Sequence, residues 1–167
     1  DQDGEVAATA ATAQTYYARV ANQDPDTYGP DVHYDLSVST LACSPDGLED
    51  DDVAAAATVM AVGGASASHD ICPAGDEDWV EFPAQTGTIY VLQTSELGTA
   101  ADTVLTLYDT DGVTELARND DYGYTAASRI VWQAPADGSY LAKVTHHNPN
   151  AAGADTRYEL SIREGVC

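Results

Sequence analysis

The chain has 167 residues, is 44% hydrophobic and carries 28 acidic against 6 basic side chains, a net charge of −22. That length allows one ordinary domain with residues to spare. With no basic stripe to meet phosphates, nucleic acid is excluded as a partner and an anionic membrane surface is disfavoured, and no apolar run reaches the length of a membrane span.

The apolar share is rich in Ala and Val and holds a single Phe. The expected core is therefore small and β-branched, with Tyr and Trp as bulk. In chain order, Asp51-Asp52-Val53 followed by Ala54–Ala57 puts acids ahead of strong helix formers and predicts one short helix or turn in an acidic linker. Strand signals dominate afterwards. Trp79-Val80-Glu81-Phe82 alternates, and residues 88–93 form a β-branched and aromatic run. Residues 104–108 lead into Asp109-Thr110-Asp111-Gly112, a hairpin turn of the Asp-Gly kind, and residues 116–118 return from it. Further strands are predicted over residues 128–132, 140–144 and 158–162. Short strands separated by turn chemistry predict an all-β, antiparallel sandwich.

The sequence also repeats. Shifted by 124, residues 1–43 align without a gap on residues 125–167, with 11 identities that include Tyr16/Tyr140, Pro25/Pro149, Gly29/Gly153 and Cys43/Cys167. Such a pattern is expected of a window cut from a tandem array, in which units build length or present surfaces. Residues 1–42 are then the C-terminal strands of a preceding or neighbour-completed repeat, residues 43–163 a complete repeat, and residues 164–167 the start of the next. On that reading Val6–Ala13, the image of residues 130–137, is strand and turn rather than helix.

The repeat also explains an odd cysteine count. Cys43 and Cys72 flank a 28-residue acidic, Ala-rich segment, and Cys167 is the image of Cys43. One bridge per period, Cys43 with Cys72, leaves Cys167 for a partner in a following repeat and implies an oxidising compartment. Three free buried thiols are the alternative.

Five runs in this order resemble the bacterial pre-peptidase C-terminal domain: residues 76–82, residues 101–109, Asn119-Asp120-Asp121, Gly138-Ser139-Tyr140 leading to Lys143-Val144, and residues 158–162. The resemblance covers residues 43–163, with residues 5–42 as the end of a second copy. It implies a jelly-roll-like β-sandwich found beside secreted proteases and in tandem on surface proteins. Residues 43–52, with Ile71-Cys72-Pro73 downstream, look like the cysteine-bearing tandem variety, and no protease motif accompanies them.

Calcium is the expected ion. Glu49, Asp51 and Asp52 share one turn, Asp76 and Asp78 follow the second cysteine, and acids in irregular loops can supply the six to eight hard oxygens that Ca²⁺ takes. The resemblance implies the same place, since collagen-binding members hold Ca²⁺ where the linker meets the first strand. It departs from the family at Gly47, where an acid is expected. A second, weaker group is Asp102 with Asn119, Asp120 and Asp121, at one end of the predicted hairpin. Solvated acids, with Asp52 capping a helix, are the competing reading of the first group.

Other chemistry finds little support. Neither a Gly-x-Ser-x-Gly nor a His-Glu-x-x-His sequence occurs, so no enzyme is expected. Zinc through His146-His147 is disfavoured, because neighbours on a strand point to opposite faces. Tyr122, Tyr124 and Trp132 could form a sugar platform, but Trp132 packed on the sandwich with the Tyr pair on a loop is the favoured packing reading. The expected function is a non-catalytic, bacterial extracellular or cell-surface repeat that builds a calcium-stabilised fibre, stalk or adhesin, with adjacent repeats or identical subunits head to tail as partners. An accessory module of a secreted hydrolase, docking an extracellular glycan or protein, is the alternative.

Overall fold

The computed structural model describes residues 17–21, 26, 28–29, 33, 35–36 and 46–165. Leu41–Cys167 make up one compact unit and Asp1–Thr40 another. The larger unit contains β1 (Thr58–Val59), β2 (Ala67–His69), β3 (Asp78–Ala84), β4 (Ile89–Ser95), β5 (Thr103–Tyr108), β6 (Glu115–Asn119), β7 (Arg129–Gln133), β8 (Gly138–His146) and β9 (Tyr158–Glu164). Two sheets result, in the orders β1-β3-β8-β5-β6 and β2-β9-β4-β7. All pairs are antiparallel except the short β1 with β3. This is the expected β-sandwich, and each strand from β3 onward lies where a pattern of alternation or β-branching marked it.

Alternation decides which side chains meet between the sheets. Val80 and Phe82 of β3 stand opposite Ala142 and Tyr140 of β8, and Leu105 of β5 stands opposite Val144. Across the gap, Leu92 of β4 pairs with Ile130 of β7 and with Ile162 of β9. All of these are buried in a single cluster. Trp132 belongs to its margin, packing edge-on against Tyr140 with ring centroids 4.6 Å apart, whereas Tyr122 and Tyr124 are exposed. The aromatic residues thus follow the packing reading.

Where the sheets meet, three buried hydroxyls stand in for ladder hydrogen bonds. Thr94 and Thr103 share a hydrogen bond of 2.7 Å, and the Ser128 N–H donates to the Thr94 hydroxyl at 2.7 Å. The Ser128 hydroxyl reaches the carbonyl of Asp120 at 2.7 Å. This knot fixes the start of β5 against the loop before β7.

Two local expectations are refined. The acidic linker holds a single 3₁₀ turn, Ala54–Ala56, flanked by Val53 with no side-chain cap, so Asp52 caps no helix. A run this short cannot repay helix nucleation, and Thr58 and Val59 are taken up by β3 instead. Strands β1 and β2 carry no periodic signal, being only two and three residues long.

Gly98 marks a close backbone approach. Its N–H donates to the Arg157 carbonyl at 2.7 Å, and a Cβ there would lie 2.2 Å from the Asp155 carbonyl oxygen. Gly98→Ala should therefore lower stability by about 1–3 kcal/mol through forced displacement of that loop. A urea midpoint indistinguishable from that of the parent chain would contradict this.

In the smaller unit, Tyr17–Ala21 carry no strand, and Tyr17 and Tyr28 are exposed. Their repeat image, residues 141–145, lies in β8, which is held by partners on both sides. Val6–Ala13, Cys43 and Cys167 lie outside the described residues.

Candidate metal centre

The acidic linker is tied down at both ends. The Asp46 carboxylate accepts the N–H groups of Leu48 at 2.7 Å and Asp70 at 2.9 Å. The Trp79 N–H donates to the Asp51 carbonyl at 3.1 Å. These bonds lay residues 46–52 against the entry to β3, where Asp76 and Asp78 stand. Asp76 is itself held by the Cys72 N–H, which donates to its Oδ2 at 2.6 Å.

The five predicted linker ligands do not form one group. Glu49, Asp52 and Asp76 converge, with one oxygen of each within 4.8 Å of the others. Asp78 turns instead toward Asp46 and His69, whose ligand atoms meet the same limit. Its Oδ1 lies 3.5 Å from His69 Nδ1, and its Oδ2 accepts the Tyr158 hydroxyl. Asp51, Asp76 and Asp78 are all buried. Glu49 Oε1 and Asp51 Oδ2 are shielded from solvent and have no hydrogen-bond partner.

So many carboxylates in one place disturb each other's ionisation. Burial, then the charge of Asp78, pushes Asp51 up to about 6. Burial raises Asp76 to about 7, with Asp52, Asp78 and Glu49 adding to it against the Cys72 N–H. Glu49 is raised by burial and then by Asp46 and Asp78. Burial works against a charged His69, but Asp78, Asp46 and Asp51 outweigh it and its pKa is raised. The centre therefore concentrates negative charge that a cation would relieve, and the all-oxygen trio of Glu49, Asp52 and Asp76 fits a hard dication.

In the second predicted group, Asp102, Asp120 and Asp121 come within 4.8 Å of one another. Asn119 does not join them: its Oδ1 accepts the Arg129 N–H at 2.7 Å and its amide donates to the Asp121 carbonyl. His147 Nδ1 lies 2.9 Å from Asp120 Oδ2, so an imidazolium can offset part of that charge. At the far end of the hairpin, Asp111 is occupied by the N–H groups of Val113 and Thr114 and by the Thr114 hydroxyl.

No protein-family model and no curated protein matches this sequence. Among solved structures, the chain is similar to the pre-peptidase C-terminal domain of a collagenase from Bacillus anthracis. The match has 17% identity and a TM-score of 0.50, and covers 64% of this chain and 93% of that one. The chain has the pre-peptidase C-terminal domain fold. Another similar structure is PliG of Aeromonas hydrophila, a periplasmic inhibitor of g-type lysozyme, at 16% identity and a TM-score of 0.44, covering 65% of this chain and 98% of that one.

Within this pre-peptidase C-terminal fold, two residues of the centre escaped sequence reasoning. Asp46 neighbours Gly47, where the resemblance leads one to expect an acid that this chain lacks, and its hydrogen bonds bring it to the cluster from one residue further out. His69 sits in the three-residue β2, too short to show alternation. The sign that could have found it is its place beside Asp70, three residues ahead of Cys72, on the far side of the loop that joins the two acidic stretches. Cys72 itself is fully buried.

Proposed function

We propose that the chain is a non-catalytic extracellular module that builds a surface fibre, stalk or adhesive structure by head-to-tail arrangement of repeats or subunits. Ca²⁺ held through Glu49, Asp52 and Asp76 stiffens the junction between linker and first long strand. A Cys43–Cys72 bridge in each unit closes the linker loop, and the full burial of Cys72 suits it.

One observation carries this reading. Residues 125–164 furnish β7, β8 and β9 of the larger unit, and residues 1–40 repeat their sequence. The earlier copy thus has no vacant place in that sandwich and is matched to a sandwich supplied from elsewhere. A preceding repeat in a continuous chain and a neighbouring subunit completed by donated strands both give a linear, non-closing assembly. The oxidising compartment implied by the bridge and the strongly acidic surface suit secretion.

The test is a deletion. The chain without residues 1–38 should remain a folded monomer by light scattering, while the 167-residue chain should polymerise or aggregate unless an upstream repeat is supplied. A full chain that stays monomeric, with the amides of residues 1–42 protected from hydrogen exchange, would remove the basis of the proposal.

A further inference from the structure

We propose that Asp46, His69 and Asp78 form a site for a transition-metal dication of the zinc type, separate from the all-oxygen group at Glu49, Asp52 and Asp76. The proposal does not depend on the calcium reading.

The starting point is a buried imidazole whose ring nitrogens make no hydrogen bond. His69 is 1% exposed, and neither Nδ1 nor Nε2 has a hydrogen-bond partner. Burying unpaired polar nitrogens is costly, and native structures seldom leave them so. Nδ1 nevertheless points between two carboxylate oxygens, 3.5 Å from Asp78 Oδ1 and 3.8 Å from Asp46 Oδ2. Those separations are too long for good hydrogen bonds. Donors about 2.0–2.1 Å from zinc stand about 3.3–3.5 Å apart; the Asp78 separation meets that spacing, and the Asp46 separation exceeds it by a few tenths of an ångström.

The ligand chemistry agrees. One neutral imidazole and two carboxylates offset the charge of a dication, and nitrogen with oxygen suits zinc-type ions, whereas Ca²⁺ takes oxygen alone. The carboxylates are also held from behind, as metal ligands commonly are. The Tyr158 hydroxyl donates to Asp78 Oδ2, leaving Oδ1 toward the ring. Leu48 and Asp70 N–H groups fix Asp46. Tyr158 also stacks on the imidazole at 5.4 Å, which sets the ring plane. Access is through Asp46, whose side chain is 15% exposed while that of His69 is 0% exposed. Asp51, buried with Oδ2 unpaired, adds negative charge that His69 feels.

Cobalt(II) is the probe, because a tetrahedral nitrogen–oxygen site gives it a strong visible absorption that aqueous cobalt lacks. The full chain, stripped of metal and returned to saturating Ca²⁺, is titrated with Co²⁺ and then with Zn²⁺. The expected result is an absorption that saturates at one equivalent and is abolished by Zn²⁺. His69→Gln should weaken Co²⁺ binding by more than about 100-fold, and Tyr158→Phe by roughly 10-fold, the range for a residue that orients a ligand. Asp111→Asn should leave it unchanged. No absorption at one equivalent, or full absorption in a folded His69→Gln chain, overturns the site. If His69→Gln does not fold, nitrogen-15 spectra of the wild-type imidazoles decide. A His69 ring that stays doubly protonated in excess Zn²⁺ is a salt-bridged imidazolium and overturns the proposal; a shift of its Nδ1 signal on Zn²⁺ addition supports it.

Discussion

Replacing Phe82 with alanine should cost about 3–5 kcal/mol of unfolding free energy, close to the largest loss a single core truncation gives. Phe82 is the only phenylalanine of the chain and is fully buried. It stands opposite Tyr140 on the neighbouring strand and touches Tyr90 of the facing sheet, with ring centroids 6.5 and 5.8 Å away. The buried cluster around it is made of Ala, Val, Leu, Ile and Tyr with Met60 as its flexible member, so the hole is refilled only in part. Phe82→Leu should lose markedly less, and Val113→Ala, on an exposed hairpin tip, should change stability by less than about 0.5 kcal/mol. Guanidinium unfolding of the deletion lacking residues 1–38 is the measurement. A Phe82→Ala loss under about 1 kcal/mol would mean that the sandwich is not centred on this ring.

Chelation should lower the melting temperature, by an amount that grows with pH. The sign follows from the raised carboxyls. Asp51 and Asp76 have folded values of about 6 and about 7 against an ordinary carboxylate value of 3.8, so the folded chain binds more protons than the unfolded one between about pH 4 and 7. Stability of the metal-free chain therefore falls as pH rises through that window. His69, raised by its carboxylate neighbours against its burial, acts in the same sense: its contribution is full below the unfolded value and is lost as pH rises through the folded one. The lowered carboxyls, Asp111 and Asp137, act oppositely, but only under more acidic conditions. In EDTA the melting temperature should thus be higher at pH 5 than at pH 8. Added Ca²⁺ should raise it most at pH 8, by the equivalent of about 2.7 kcal/mol at 100-fold over Kd. Glu49→Gln and Asp76→Asn should blunt the calcium effect, and Asp111→Asn should not. A melting curve that neither EDTA nor Ca²⁺ moves at pH 8 would exclude calcium from this centre.

The long strands were legible because alternation over five or more residues is a direct record of one buried and one solvated face. Tyr158 to Ile162 shows it plainly. The two shortest strands were not legible, since Thr58–Val59 and Ala67–His69 exist through partners supplied by β3 and β9. The candidate centre was half legible. Acid clustering and the family resemblance pointed to residues 49–52 and 76–78, but a carboxylate in a loop does not announce which way it turns. Asp76 and Asp78 are two residues apart yet serve different groups, because Asp76 is held by the Cys72 N–H and Asp78 by Tyr158. Asn119 was assigned by proximity in sequence, and its carboxamide is used instead to lock β7.

The order of strands across the sheets bears on how such a chain folds as it is made. The last two strands to be synthesised, β8 and β9, are interior ones, each lying between earlier strands: β8 between β3 and β5, β9 between β2 and β4. Until the chain has been delivered as far as His146, strands β3 and β5 lack the neighbour that joins them into one sheet, and until it reaches Glu164, β2 and β4 lack theirs. A unit threading out of a ribosome or a secretion pore should accordingly stay unfolded for nearly its whole length and close in one late step. Its topology holds it in the thread-like form that translocation needs, and a unit truncated before its final strands would be left as an open substrate for proteases.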